Sequence, residues 1–314
     1  MANGVRSFLP TDLPALVAHS GLGNENEAWP RERLGAGEAQ ATLSVVSHQL
    51  LTFARRRSAW VSVRRQRLQG LIGARQRGGN EAWEIDYLLD ATRDRHVAVD
   101  LLECAIAEAG KEGAHKLFLR LACDSDLLQP ARAAGFAAYQ EETLYRRDGT
   151  ASPPAAQMLR PSVASDSYPL FRLYCELTPE VTRRLEAATF GEWHAAQERR
   201  WLKNGLQLVQ ERDGQIGAQV RAGRLSQGLM LDFVLDATAT SAVDGIVSAA
   251  AAAAESTAEP VFVLVPKAAE SLARRLEEAG FTSQSEFVSL MRRTAKPLTM
   301  PKKVAVVAKN AVGV

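Results

Sequence analysis

Hydrophobic positions along this chain follow two different periods, and the order in which those periods occur repeats. Between residues 60 and 90, three runs at hairpin spacing (Trp60–Arg64, Gly70–Arg75 and Trp83–Leu89) are separated by polar residues and by Gly78-Gly79-Asn80, the pattern of consecutive antiparallel strands. Apolar residues then fall at Ala98, Leu101, Leu102, Ala105, Ile106 and Ala109, the spacing of one buried helical face. A buried strand follows at Lys116–Leu121, a short helix at Asp126–Ala134 and a long strand at Phe136–Arg147. The order then returns. Strands fall at Gln207–Glu211, Gly217–Arg221 and Met230–Leu235, and a helix is buried at Val243, Ile246, Val247, Ala250, Ala251 and Ala254. After it come a strand at Pro260–Val265, another helix and a closing strand at Phe281–Arg293. Each half opens alike, with Val5-Arg6 before Asp12 and Leu159-Arg160 before Asp166, which reads as a short strand and an N-capped helix. Residues from Pro179 to Lys203 read as one long helical region.

The repeat is also one of residues. Trp-Glu-Ile-Asp-Tyr-Leu-Leu-Asp-Ala-Thr at 83–92 matches Leu-Met-Leu-Asp-Phe-Val-Leu-Asp-Ala-Thr at 229–238, an offset of 146. Ala134-Gly135-Phe136 matches Ala279-Gly280-Phe281 at an offset of 145. These anchors predict two copies of one domain, at 1–148 and 156–295. A linker at 149–155 carries Pro153-Pro154, which end helices and strands alike. A lysine-rich tail follows at 296–314. The expected class is α/β (α+β): two tandem domains, each a mixed, mostly antiparallel sheet flanked by helices.

Composition narrows the function classes. A length of 314 residues suits two domains of about 150. Net charge is +2 and the arginines are scattered apart from Arg55-Arg56-Arg57 and Arg64-Arg65, so no nucleic-acid groove is expected. Cys104, Cys123 and Cys175 stand at unrelated spacings, giving neither a disulfide framework nor a metal site. Cys123 reads first as a small core residue. His115 reads as a turn residue, and His48 and His194 lack a ligand cluster, so no metal is expected. No apolar run reaches the ~20 residues that span a bilayer, and no signal pattern opens the chain. The expectation is a soluble, cytoplasmic protein with no membrane or nucleic-acid partner.

Candidate chemistry gathers between Leu88 and Leu102. A strand ends, a tight loop carries Arg93 and Arg95, and an amphipathic helix begins. Backbone N–H groups and the positive dipole end of a helix N-terminus form an anion site, and two arginines suit a diphosphate.

This arrangement resembles the GNAT superfamily of acyl-CoA-dependent N-acyltransferases, whose pyrophosphate loop reads Arg/Gln-x-x-Gly-x-Gly/Ala. Aligned on Leu101-Leu102, Arg93 takes the first place of that pattern, His96 that of the first Gly and Ala98 that of the last; His96 departs from the family. The resemblance covers residues 1–148 and, more weakly, 156–295. It implies that Arg93, Asp94, Arg95, His96, Val97 and Ala98 seat the phosphates. It further implies that the preceding strand splays from its neighbour to admit the pantetheine arm, and that the Leu88 N–H faces the acyl carbonyl as a modest oxyanion hole.

An amine attacking the thioester needs a base. Period-two alternation puts Glu84 and Asp86 on the face of Leu88; Glu84 is the first candidate and Asp86 the second. The family's common Glu position is Ala82 here, and Asp86 recurs as Asp232, which fits a structural hydrogen bond in both copies. The family's acid tyrosine becomes Ala131, while Asp124 replaces an Asn and can accept a bond from pantetheine. Tyr139 and Tyr145 read first as packing residues. Thiolate departure does not strictly need an acid, since CoA thiol resembles free Cys at about 8.5.

The second copy differs. Between Asp236 and Ile246 its loop is one residue shorter and has no arginine, and it places Val243 and Asp244 near the phosphate seat. No CoA site is expected there. Trp193 and Trp201 lie where the family borders its acceptor cleft, or pack the halves together.

The leading expectation is transfer of an acetyl group from acetyl-CoA, bound in the first half, to an unidentified small-molecule or peptide amine, with a homodimer left open. Tandem members resembling mycothiol synthase often keep one competent half. The alternative is an inactive pseudo-acetyltransferase that senses CoA or binds proteins, which His96 and Ala131 favour. Aminoacyl transfer from tRNA lacks a basic groove.

Overall fold

Each strand-like run is a strand in the computed structural model, with ends that differ from the expected ones by up to four residues. It describes residues 4–12, 26–35, 57–64, 67–92, 94–149, 159–202, 204–255 and 259–294. The first half contributes β1 (Val5–Ser7), β2 (Arg57–Arg64), β3 (Arg67–Gln76), β4 (Ala82–Asp90), β5 (Lys116–Ala122) and β6 (Ala137–Arg147). Between the last three lie helices α1 (Arg95–Lys111) and α2 (Leu128–Ala133). The second half contributes β7 (Leu159–Pro161), β8 (Leu206–Arg212), β9 (Gln215–Leu225), β10 (Gly228–Leu235), β11 (Val261–Pro266) and β12 (Thr282–Arg293). Its helices are α3 (Ser167–Leu177), α4 (Glu180–Glu186), α5 (Phe190–Ala196), α6 (Ala237–Ser241), α7 (Val243–Ala253) and α8 (Glu270–Glu278). The linker prolines, the tail from residue 295 on, His48 and Arg93 lie outside the described residues.

Three local expectations change. The long helix between Pro179 and Lys203 is broken into α4, α5 and a 3-10 turn at Arg200–Leu202. Ala187 ends α4 in extended backbone, and the Thr189 side chain caps α5 by accepting the Glu192 N–H at 3.3 Å. Asp166 does not cap a long helix through its side chain. Its carboxylate accepts the Val163 N–H at 2.8 Å and pairs with Arg160 at 2.7 and 3.0 Å. Asp12 does the same with the Leu9 N–H (2.8 Å) and Arg6 (2.7 Å), so the duplication preserves this corner. A short α6 also precedes α7, capped by Asp236, which accepts the Ala239 N–H at 2.7 Å.

The twelve strands among the described residues form one sheet, in the order β1-β2-β3-β4-β5-β12-β6-β11-β10-β9-β8-β7. The last strand of each half is placed against the other half. β12 lies antiparallel between β5 and β6, with Leu290 opposite Leu119 on one side and Ala138 on the other. β6 in turn pairs with β11, with Leu144 opposite Leu264. The cores follow the same exchange. Val288 and Leu290 of β12 are buried with Leu101, Leu102 and Leu119 beneath α1, whereas Tyr145 of β6 is buried with Val247 and Leu276 beneath α7 and α8.

Alternation on β5 sends Leu117, Leu119 and Leu121 into the α1 core and Phe118 and Arg120 to the opposite face. That opposite face is covered by residues 26–35 and by α3 to α5, and it carries the buried charges. No helix among the described residues is long and apolar enough to cross a membrane.

Candidate functional site

The sheet splays at two equivalent places. β4 runs parallel to β5 only where Ala82–Glu84 face Lys116–Phe118. β10 runs parallel to β11 only where Leu229–Leu231 face Val261–Val263. Beyond those points the strands diverge, and backbone groups facing the gap lose ladder partners that burial requires.

In the first half the chain fills its own gap. The Leu88 N–H donates to Asn26 Oδ1 at 2.8 Å, and the Leu88 carbonyl accepts the Glu27 N–H at 2.8 Å. Asn26 Nδ2 donates to the Asp86 carbonyl at 3.0 Å, and the Trp29 N–H donates to the Arg120 carbonyl at 2.9 Å. Asn26–Trp29 thus bridges β4 and β5. Ala28 is wholly buried, Ser125 Oγ donates to Glu27 at 2.9 Å, and Trp29 rests on Phe287 and beneath Arg33.

The second gap has no such filling among the described residues. It opens as a cleft of about 340 Å³ between Phe233–Leu235 of β10 and Leu264 of β11, with Leu272, Tyr174 and Glu186 on its walls.

An ion network joins the two gaps beneath α3 to α5. Glu198 meets Arg120 at 2.9 Å, Arg77 at 3.3 Å and Arg31 at 3.6 Å. Arg120 also holds Glu142 at 2.8 Å, and Arg31 reaches Asp232 at 2.8 Å. Burial by itself would raise the Glu198 carboxyl; the three arginines overcome that and hold it well below the usual range. Asp232, beside Arg221 and Arg31, is likewise lowered against burial.

No protein-family model matches this chain, and no curated protein matches it. Solved structures do. A tandem GNAT protein from the clavulanic acid biosynthesis pathway superposes with a TM-score of 0.54 at 14% identity, over 93% of this chain and 98% of that one. A GCN5-related N-acetyltransferase from Sphaerobacter thermophilus gives 0.50 at 14% identity, over 92% and 95%. The fold is GNAT-like.

Within that GNAT fold the anticipated residues do not assemble as alternation suggests. A bulge interrupts β4: Gly73 faces Tyr87 while Ala74 faces Ile85, leaving Asp86 as the extra residue. The added residue inverts the alternation. Glu84 and Asp86 therefore lie on the charged face, whereas the Leu88 side chain points into the α1 core. The Leu88 N–H, anticipated as an oxyanion donor, is bonded to Asn26.

Glu84 is buried between Arg75 (2.7 Å) and Arg77 (3.4 Å). Burial raises its carboxyl although both arginines pull it down. Asp86 pairs with Arg75 at 3.1 Å, and its counterpart Asp232 pairs with Arg221 at 2.7 Å. A carboxylate–arginine pair thus recurs at this position in both copies.

At the loop expected to seat the phosphates, Asp94 caps α1 with its own carboxylate, accepting the His96 N–H at 3.0 Å, while the Asp94 N–H is taken by Thr92 Oγ1 at 3.2 Å. Arg95 and His96 are exposed, Val97 is half-buried, and Ala98 is buried in the core. Asp124 and Cys123 line a cavity beside Trp29, away from Leu88, and burial pushes the Cys123 thiol up. Ala131 is wholly buried. Tyr139 is enclosed beside Phe118, burial driving its hydroxyl well above its usual range. Tyr145 donates to Glu277 at 3.2 Å. Among the described residues no group of three or more His, Cys, Asp or Glu side chains is placed to hold a metal.

Sequence reasoning missed Asn26, Arg31, Glu186 and Glu198. Asn26 acts through a single amide in an aperiodic stretch, which leaves no periodic signal. One hairpin charge pair was legible: Arg75 on β3 stands opposite Glu84 on β4, a pattern that marks a cross-strand ion pair.

Proposed function

We propose that this tandem GNAT fold works as a binding module, a pseudo-acetyltransferase whose first half takes no acyl-CoA. The observation that carries this reading is the segment Asn26–Trp29, bonded to both backbone groups of Leu88 in the gap where the family admits the pantetheine arm. Four hydrogen bonds to the backbones of β4 and β5 would have to break for an acyl-CoA to enter. At about 0.5–1.5 kcal/mol each, that displacement weakens binding by roughly 2–6 kcal/mol. The Asp94 carboxylate at the start of α1 opposes a diphosphate there.

A second reading retains acetyl transfer from acetyl-CoA to an amine. What favours it is that Asn26 offers amide groups to the β4 backbone, which another amide chain can replace. It requires the segment to leave.

Calorimetric titration of acetyl-CoA into the full chain separates the two. Wild type is expected to give no binding heat up to about 1 mM ligand, the weak end of the affinity scale. Tight wild-type binding, with a dissociation constant of about 10 μM or below, would sink the binding-module reading. Asn26→Ala removes three of the bonds around the gap. Measurable acetyl-CoA affinity and acetyl transfer in that variant alone would make the segment a latch on a transferase.

A further inference from the structure

We propose that the open second gap binds an extended peptide by strand addition and holds a basic side chain of that peptide on Glu186. The inference concerns a different site from the filled first gap and stands whether or not the first half takes acyl-CoA.

The duplication supplies the first half of the case. In the first copy the diverging strands are bridged by the segment Asn26–Trp29, whose Glu27 N–H donates to β4 and whose Trp29 N–H donates to β5, with the Asn26 side-chain amide adding bonds to β4. The second copy has the same divergence and an equivalent edge. Leu229 donates to the Pro260 carbonyl at 2.8 Å, so its backbone faces β11. Alternation turns the backbone of Leu231, Phe233 and Leu235 the same way, while pairing with β11 stops at Leu231. Phe233 and Leu235 therefore present backbone groups to the cleft. A strand laid there completes the ladder, the physical basis of peptide recognition by β-augmentation. The cleft, about 340 Å³, falls in the size range of ligand sites.

The charge of the cleft supplies the second half. Arg31, Arg77 and Arg221 on its walls are matched by Glu198 and Asp232, and Glu142 is held by Arg120. Glu186 has no cation within salt-bridge distance among the described residues; its carboxylate accepts only the Tyr174 hydroxyl, at 3.0 Å. Burial raises its carboxyl, with Arg77 only partly offsetting this. A Lys or Arg side chain placed beside it would gain a charge-assisted hydrogen bond, with the ring of Trp193 on the same wall for cation–π contact. Diphosphate ligands are disfavoured, because Asp236 already caps α6 at the end of β10.

The test uses the full chain and acetylated, amidated tripeptides Gly-Gly-Lys, Gly-Gly-Leu and Gly-Gly-Glu, followed by tryptophan fluorescence and calorimetry. Gly-Gly-Lys is expected to bind at least tenfold more tightly than the other two, and n-butylammonium alone more weakly still. Glu186→Gln is expected to erase the preference for lysine, a loss of about tenfold. Absence of Gly-Gly-Lys binding, equal binding of the three peptides by wild type, or equal binding of butylammonium and Gly-Gly-Lys overturns the proposal. So does a lysine preference that survives Glu186→Gln. The wild-type comparisons stand even if that variant fails to fold. Acetyl-CoA, titrated in parallel, reports separately on the first gap.

Discussion

Expressed alone, residues 1–148 are expected not to fold as a monomer. β12 stands between β5 and β6, so a chain ending at residue 148 has nothing to hold β6 beside β5. The α1 core also loses Val288 and Leu290, the latter wholly buried. An opened core and two unpaired strand edges are the features that drive misassembly. The fragment has one escape. Because β6 and β12 occupy equivalent places, a second copy of the fragment can offer its own β6 in place of β12. Soluble fragment is therefore expected as a dimer in size-exclusion chromatography with light scattering. A monomeric fragment with a cooperative unfolding transition would contradict the observed strand order.

Replacing Glu198 by Ala is expected to cost about 3–5 kcal/mol of stability, the usual consequence of stripping one partner from a buried ion cluster. Three buried arginines, Arg31, Arg77 and Arg120, share this carboxylate and would be left facing one another. In thermal unfolding that corresponds to a fall of roughly 5–15 °C. A loss below about 1 kcal/mol in urea unfolding would show that the network is not a keystone.

The pH dependence has a definite sign. Glu198 and Asp232 have folded-state values below their ordinary ones of 4.5 and 3.8. Their contribution is fully present above those ordinary values and is lost as the pH falls through the lowered ones. Glu84 and Glu186 are raised, so their ionisation opposes folding as the pH climbs above 4.5. Glu198→Ala should therefore lose stability less steeply in acid than wild type.

Strand and helix placement was legible because each depends on local periodicity; Ala98, Leu101, Leu102, Ala105 and Ala109 are all buried in α1 as their spacing requires. The exchange of β6 and β12 was not, since two copies of one strand pattern fit either half equally well. The bulge at Asp86 also left no mark, lacking a glycine, and alternation carried straight through it turned Leu88 to the wrong face. Asn26–Trp29 works through one side-chain amide and two backbone N–H groups, neither of which leaves a periodic signal. Only long-range geometry shows which gap it fills. The ion network was half legible: the Arg75–Glu84 partners lie across one hairpin, whereas Glu198 meets Arg31 and Arg120 from distant elements.

The shared central strands also set a timetable. A ribosome releases the chain from its first residue onward, and 146 residues separate Arg147 from Arg293. At about 5–20 residues per second, β5 and β6 wait roughly 7–30 s for the strand that belongs between them. During that interval the nascent first half is an incomplete sheet, and it depends on whatever keeps neighbouring nascent chains apart.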